Sequence, residues 1–421
     1  MTFFHYSHQQ LMAEAVSVAQ LAEIYGTPLY IYSKKAIVQH WQRYETALKG
    51  RKHLICYALK ANSNLAILNL LAKLGSGFDI VSQGELERVI AAGGDPNKVV
   101  FSGVAKNEAE IERALSVNIR CFNVESVPEL YRINDVAKRL NKKAPISLRI
   151  NPDVDAKTHP YISTGLKENK FGISYEIAEE VYKQASSLPY LRIEGIDCHI
   201  GSQLTELTPF LDAADRILAL VDRLAQHNII INHIDFGGGL GVCYQNETPP
   251  TIQALIDALC AKLVGRDHLE MIFEPGRIMV ADAGILVTQV EYIKHHEENH
   301  FAIVNAGMND LVRPALYDAW MRIIPVLQPS GQMPSFTYNI VGPVCESSDC
   351  LGKKRDLAIK QGDLLAVCDA GAYGFSMASH YNSRPRVAEV LVDEENHYLI
   401  RKRETYADLW RGEYLIEKTN A

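Results

Sequence analysis

The stretch "HLICYALKANSNLAILNLLAKLG" (residues 53–75) decides the fold. Its first part, "HLICYAL" (53–59), is rich in β-formers. A polar break follows at Asn62, and from Asn64 apolar residues recur at helical spacing until Gly75, a common helix stop. One strand, one turn and one helix make a single β-α unit.

The unit recurs. Further strand candidates are "GFDIVS" (77–82), "VVFSGV" (99–104), "CFNVES" (121–126), "PISLRIN" (145–151), "IEGIDCHIG" (193–201), "HIDFGGGL" (233–240) and "LEMIFEPG" (269–276). Amphipathic stretches such as "QGELERVIAAGG", "KNEAEIERALSVN" and "VPELYRINDVAKRLN" lie between them. Eight such repeats predict an α/β fold, a (β/α)8 TIM barrel, over an open doubly wound sheet. No G-x-G-x-x-G follows the first strand, which further weakens a dinucleotide fold.

After about residue 280 the rhythm changes to strand-like segments with few long helices, among them "AGILVTQVEYIKH", "SFTYNIVGPV" and "RVAEVLVD". We therefore expect residues 34–280 to form the barrel. Residues 281–421, joined by 1–33 through the strand-like "GTPLYIYS" (26–33), are expected to form a second, β-rich domain of sandwich or barrel type.

Composition bounds the function. The chain has 421 residues with 47% hydrophobic and 22% charged, which suits a globular protein of two or three domains. A net charge of −7 argues against nucleic acid as a partner. The eight cysteines are scattered without a CxxC pair, so no zinc motif is expected and most read as buried free thiols of a reducing compartment. The N-terminus lacks a signal-peptide pattern, and no apolar run reaches the length of a membrane span. The expectation is a cytoplasmic protein with no membrane partner.

Alternation along the strands points to the site. Cys56, Ala58 and Lys60 share a parity, as do Gly195, Asp197, His199 and Gly201; both sets are expected to face the barrel axis. This places Lys60 in the barrel mouth. Apolar neighbours such as Ala58 would there favour a neutral, nucleophilic amine. Strands seven and eight end in "FGGGLG" and "EPGR" (Gly237–Gly239 and Gly241; Glu274–Arg277). These are the strand ends where barrels often bind phosphate, and glycine lets backbone N–H groups approach an anion.

A lysine opposite a phosphate cradle suggests pyridoxal phosphate, bound by its phosphate and tethered through the amine. A Schiff-base aldolase acting on a phosphorylated sugar, or a lysine that only pairs with a carboxylate, remain alternatives. Glu274 favours the cofactor, because a carboxylate can hold the proton on the pyridine nitrogen. Its plain alternative is an ion pair with Arg277. His199 is placed to stack on the ring.

"YALKAN", "HIGSQ", "GGGLG" and "EPGR", in this order, resemble the alanine-racemase-like (fold type III) pyridoxal-phosphate enzymes. "HPYISTGLKENKFGI" (159–173), "NAGMNDLVRPALYDAW" (305–320), "GPVCESSDCLG" (342–352) and "CDAGAYGFSMASHYNSRPR" (368–386) narrow this to the family's decarboxylases of meso-2,6-diaminopimelate. The resemblance runs from about residue 25 to 415.

It implies a homodimer that releases L-lysine and carbon dioxide, the last step of bacterial lysine synthesis. Lys60 would be the Schiff-base lysine. Gly238, Gly239, Gly276 and Arg277 would hold the phosphate with Ser202 and Tyr373, and Glu274 the ring nitrogen. Arg277, Arg313, Tyr317 and Tyr373 would bind substrate, and Glu346 its distal ammonium. Cys345 would donate the proton, with Cys345 and Glu346 reaching the partner chain's site. A sister decarboxylase of ornithine, arginine or carboxynorspermidine, an amino-acid racemase, and an inactive cofactor-binding homologue are the competing readings. The "HPYISTG" segment and Arg313 argue against ornithine and arginine. Cys345 and Glu274 fit decarboxylation better than racemisation, and the presence of both Lys60 and Cys345 argues against an inactive homologue.

Overall fold

A computed structural model describes residues 3–154, 170–297, 299–329, 331 and 333–416. The segment "HPYISTGLKEN" (159–169) lies outside the described residues. The chain divides into two compact units, Ala36–Ala281 and Met1–Lys35 with Asp282–Ala421.

The first unit is a closed parallel barrel. Its strands are β1 (His53–Ala58), β2 (Gly77–Ile80), β3 (Val99–Phe101), β4 (Cys121–Val124), β5 (Ala144–Asn151), β6 (Leu191–Asp197), β7 (His233–Asp235) and β8 (Glu270–Phe273). They pair in the order β5-β6-β7-β8-β1-β2-β3-β4, and β4 closes on β5. Six lie wholly within the expected segments, while β5 begins one residue early at Ala144 and β6 two residues early at Leu191.

The helices start where the sequence supplies caps. Asn64 accepts from the Ala66 N–H, Ser82 from Glu85, Ser126 from Glu129 and Thr251 from Ala254. Asn107 and Glu110 form a reciprocal capping box. Each side chain satisfies an N–H that would otherwise lack a partner, worth about 1 kcal/mol. Together they mark where the loops after β1, β2, β3, β4 and β7 become helix.

Inside the barrel, Leu54, Cys56, Val100, Cys121 and Ile272 form one apolar cluster. They come from β1, β3, β4 and β8, so they meet across the axis. The inward parity of Cys56 therefore holds. Ile55 and Tyr57, of the opposite parity, are also buried.

The second unit is β-rich. Its main path runs Cys350–Leu357, Phe336–Val341, His300–Val304, Gly284–His295, Leu29–Ser33, Ala388–Asp393 and Asn396–Arg401. Leu364–Val367 pairs with Gly284–His295 and with Ile323–Pro325. Leu29–Ser33 pairs antiparallel with Gly284–Val287 and parallel with Ala388–Val392, which ties the N-terminal segment into this sheet. Three short strands between Phe4 and Ser17 form a separate sheet.

Candidate active site

The C-terminal end of the barrel is built from side chains one step above the apolar cluster. Asp79 (β2), Asn123 (β4), Arg149 (β5), Asp197 (β6) and Asp235 (β7) are all buried, as are Ser102 and Glu274, each just past its strand end. One carboxylate oxygen each of Asp197, Asp235 and Glu274 lies within 4.8 Å of the others. Ser102 Oγ donates to Glu274 Oε1 at 3.5 Å and Asn123 Nδ2 at 3.3 Å. The Gly237 N–H donates to Asp235 Oδ1 at 2.9 Å. Arg149 Nη1 donates to Glu125 Oε1 at 3.1 Å, and its Nε stands 3.9 Å from Asp197 Oδ2.

Crowded carboxylates resist ionisation. Burial first, and then the charge of Asp235, raises Glu274 well above the usual carboxylate range. Asp197 is raised by the same two causes. Asp235 is pushed up to about 7, chiefly by burial. Four buried oxygens here, Asp79 Oδ1, Asn123 Oδ1, Asp197 Oδ1 and Asp235 Oδ2, find no hydrogen-bond partner among the described residues. This floor suits a ligand that brings a proton or a positive charge.

Lys60 lies at the edge of this floor, but not on a strand. β1 ends at Ala58, and Leu59–Ala61 form a 3-10 turn. The strand parity used to aim Lys60 thus stops one turn too early. The side chain is 43% exposed, with Nζ 3.5 Å from Asp79 Oδ2, so the expected apolar surroundings are not what the amine meets. His199 also needs correction. β6 ends at Asp197, so His199 sits in the following loop rather than on the strand. There its Nδ1 accepts the Gly238 N–H at 3.2 Å. Burial, then Arg149 and Lys60, holds His199 well below the usual imidazole range, so the ring is neutral.

The glycines serve close approach. A Cβ on Gly238 would stand 2.2 Å from the Glu274 carbonyl oxygen, and one on Gly239 2.4 Å from the Gly201 oxygen. One on Gly276 would be 3.2 Å from the Ala58 and Ala61 methyls. Arg277 is buried, donating to Tyr244 Oη at 2.9 Å and Ser202 Oγ at 3.0 Å. A proton-avid carboxylate floor, an amine at its edge and a glycine-and-guanidinium rim fit a phosphorylated, protonated pyridine aldehyde.

The family described as pyridoxal-dependent decarboxylase, pyridoxal binding domain, matches residues 34–281. The chain belongs to the pyridoxal-dependent decarboxylases. Relatives of this decarboxylase include the diaminopimelate decarboxylase of Vibrio cholerae, 60% identical over 99% of this chain and 100% of that one. The Haemophilus influenzae enzyme of the same name is 59% identical with the same coverage. Among solved structures, Helicobacter pylori diaminopimelate decarboxylase complexed with L-lysine is 46% identical, with a TM-score of 0.90 over 93% of this chain and 98% of that one. The m. jannaschii enzyme reaches 0.93 at 41% identity, covering 98% of each chain.

The β-rich unit of this decarboxylase carries the other expected residues. Arg313 is buried and begins the short helix Arg313–Tyr317, with Nη1 3.4 Å from Met321 Sδ. Tyr373 holds a left-handed φ of 56°, a conformation that costs a non-glycine residue energy and is common at functional sites. Cys345 is exposed, its N–H bonded to Asn382 Oδ1 at 2.9 Å. Glu346 accepts from the Tyr381 hydroxyl and from Ser348 Oγ. These bonds, Tyr381 first, lower its carboxyl, so it is an anion at neutral pH.

The sequence reading missed the polar ring of Asp79, Ser102, Asn123, Arg149 and Asp235. A signal was present: a polar residue of inward parity at or just past each of several strand ends, as in "FDI", "FNV" and "HID".

Proposed function

We propose that this chain removes one carboxylate of meso-2,6-diaminopimelate as carbon dioxide and releases L-lysine, using pyridoxal 5'-phosphate. The observation that carries the reading is the Lys60 amine at the edge of a buried, proton-avid carboxylate floor. It occurs in a chain alike to named diaminopimelate decarboxylases from end to end. When bound, the cofactor supplies an electron sink for the pair left by the departing carboxylate.

The chain's own residues do the rest. Lys60 Nζ is the tether, and Glu274 holds the proton shared with the ring nitrogen. The neutral His199 imidazole offers a flat face for the ring. Gly238, Gly239, Gly276, Ser202, Arg277 and Tyr373 hold the phosphate. Arg313 and Tyr317, with Arg277 and Tyr373, bind the substrate carboxylate that is retained, where a guanidinium fork suits the geometry. The Glu346 anion meets the distal ammonium, and the Cys345 thiol gives its proton to the carbon that lost its carboxylate. The exposure of Cys345 and Glu346 supports their service in a second copy's site, hence a homodimer.

Decarboxylation of meso-diaminopimelate, ornithine, arginine and carboxynorspermidine by the cofactor-loaded protein tests the reading. Lysine release from the meso compound alone is expected; turnover of ornithine at a comparable rate overturns it. Cys345→Ala should keep the bound cofactor and slow turnover about 10²–10⁴-fold. Mixing it with Lys60→Ala should restore activity if the two chains share sites.

A further inference from the structure

We propose that the paired imidazoles of His295 and His300 in the β-rich unit are a binding site for a divalent transition-metal ion of imidazole preference, such as Cu2+, Ni2+ or Zn2+. His295 and His300 are directly paired across the two strands Gly284–His295 and His300–Val304, at the last register position before the turn. The turn is closed by the His296 N–H to the Asn299 oxygen at 3.0 Å. Cross-strand partners project to the same face, so both imidazoles stand side by side.

The two Nδ1 atoms are 3.1 Å apart. In the metal-free hairpin one ring donates its Nδ1 proton to the other. The same spacing fits coordination. Two nitrogens 3.1 Å apart, each about 2.05 Å from a metal, subtend about 98° at it, between the square-planar and tetrahedral angles. Binding moves the bridging Nδ1 proton to the Nε2 of the same ring, through water, so that both Nδ1 lone pairs are free for the ion. No other bond breaks, and water completes the coordination.

The rings are also held in place. The neighbouring strand places Tyr338 directly beside His300, and Phe336, two residues earlier, has the same parity. The Phe336 ring centroid lies 5.1 Å from both imidazoles, and the two imidazole centroids are 4.8 Å apart. Packing against an aromatic floor limits the rotamers each histidine can sample, which reduces the entropy lost on chelation. His295 is exposed and His300 half-buried, so solvent ions reach the pair. Imidazole nitrogens on a rigid frame select Cu2+, Ni2+ or Zn2+ over Mg2+ or Ca2+. Because the ligands must be neutral, affinity falls as the solution is acidified.

The test uses the untagged, cofactor-loaded full chain titrated with CuCl2 and with NiCl2. One ion per chain should bind at a site that His295→Ala or His300→Ala weakens by roughly 10²-fold, the gain of the second linked ligand. Both variants should decarboxylate at the wild-type rate without added metal. Electron paramagnetic resonance of the wild-type Cu2+ complex reads the ligands directly and needs no variant; nitrogen couplings from two imidazoles support the site. Unchanged affinity in both variants, or couplings from a single imidazole, overturn it.

Discussion

His233 and Asp235 sit two residues apart on β7, equally buried, and the barrel treats them in opposite ways. His233 packs so closely over Gly195 that a Cβ there would overlap its ring, and neither ring nitrogen finds a hydrogen-bond partner among the described residues. Burial, then Arg120 and Lys52, lowers it to about 3. Asp235, one step nearer the mouth, is raised to about 7. Burial thus favours the uncharged form of both, leaving His233 neutral at pH 7 and Asp235 able to hold its proton up to about pH 7, but to different ends. A neutral imidazole joins the inert filling of the lower barrel. Asp235 belongs to a trio of acids that a positively charged ligand can discharge. The lower barrel is finished on folding, whereas the upper barrel is complemented by what it binds.

The largest effect that would break this comparison is at the mouth. Lys60→Ala should abolish turnover and the visible Schiff-base absorbance of the tethered cofactor, with little change in the stability of the cofactor-free protein. Residual turnover near wild type would remove Lys60 from the mechanism.

Glu274→Gln comes next. It should slow decarboxylation by roughly 10²-fold or more, because a group aimed at charge in the transition state is lost. It should also make the cofactor-free protein more stable at pH 8, since the raised Glu274 carboxyl, which ionises more readily in the unfolded chain than in the fold, is gone. Calorimetry of the cofactor-free variant checks the second half. A less stable variant at that pH would show that the trio is not under charge strain.

The smallest effects sharpen the contrast along β7, and their signs are opposite. Between about pH 4 and 7 the folded protein holds the Asp235 proton that the unfolded chain has released. That contribution makes stability fall as pH rises. Between about pH 3 and 6.5 the unfolded chain binds a proton at His233 that the folded protein refuses. That contribution makes stability rise with pH. Relative to wild type, His233→Phe should change the slope of unfolding free energy against pH by up to about −1.4 kcal/mol per unit near pH 5, and Asp235→Asn by a similar amount upward. Denaturant titrations of the cofactor-free proteins at pH 4.5, 5.5 and 6.5 measure this. Equal slopes in all three proteins would mean that neither group is shifted.

The barrel was legible because its signals are local. Every strand candidate in the first unit met a real strand, and cap residues such as Asn64, Ser82 and Asn107 marked where the loops gave way to helix. The errors arose where periodicity was carried past a strand's end. Lys60 and His199 lie beyond Ala58 and Asp197, where the chain no longer alternates. They still reach the mouth, but by turn geometry rather than by parity. Asp235 and Asp79 were missed because a single inward acid on one strand looks ordinary. Only the side-by-side parallel pairing of β6, β7 and β8 brings their acids within 4.8 Å of one another. Likewise, the spacing of His295 and His300 says nothing until the hairpin pairs them.

Gly238 bears on how such a site can change over generations. The place where its side chain would stand is already taken by the carbonyl oxygen of Glu274 at 2.2 Å. Any larger residue would wedge the exits of β7 and β8 apart and drag the Glu274 backbone with it. The position is therefore closed to drift even without selection for ligand binding. Alanine at 238 would report a sprung joint between neighbouring strands, and a lineage that abandoned the cofactor would still be obliged to keep this glycine.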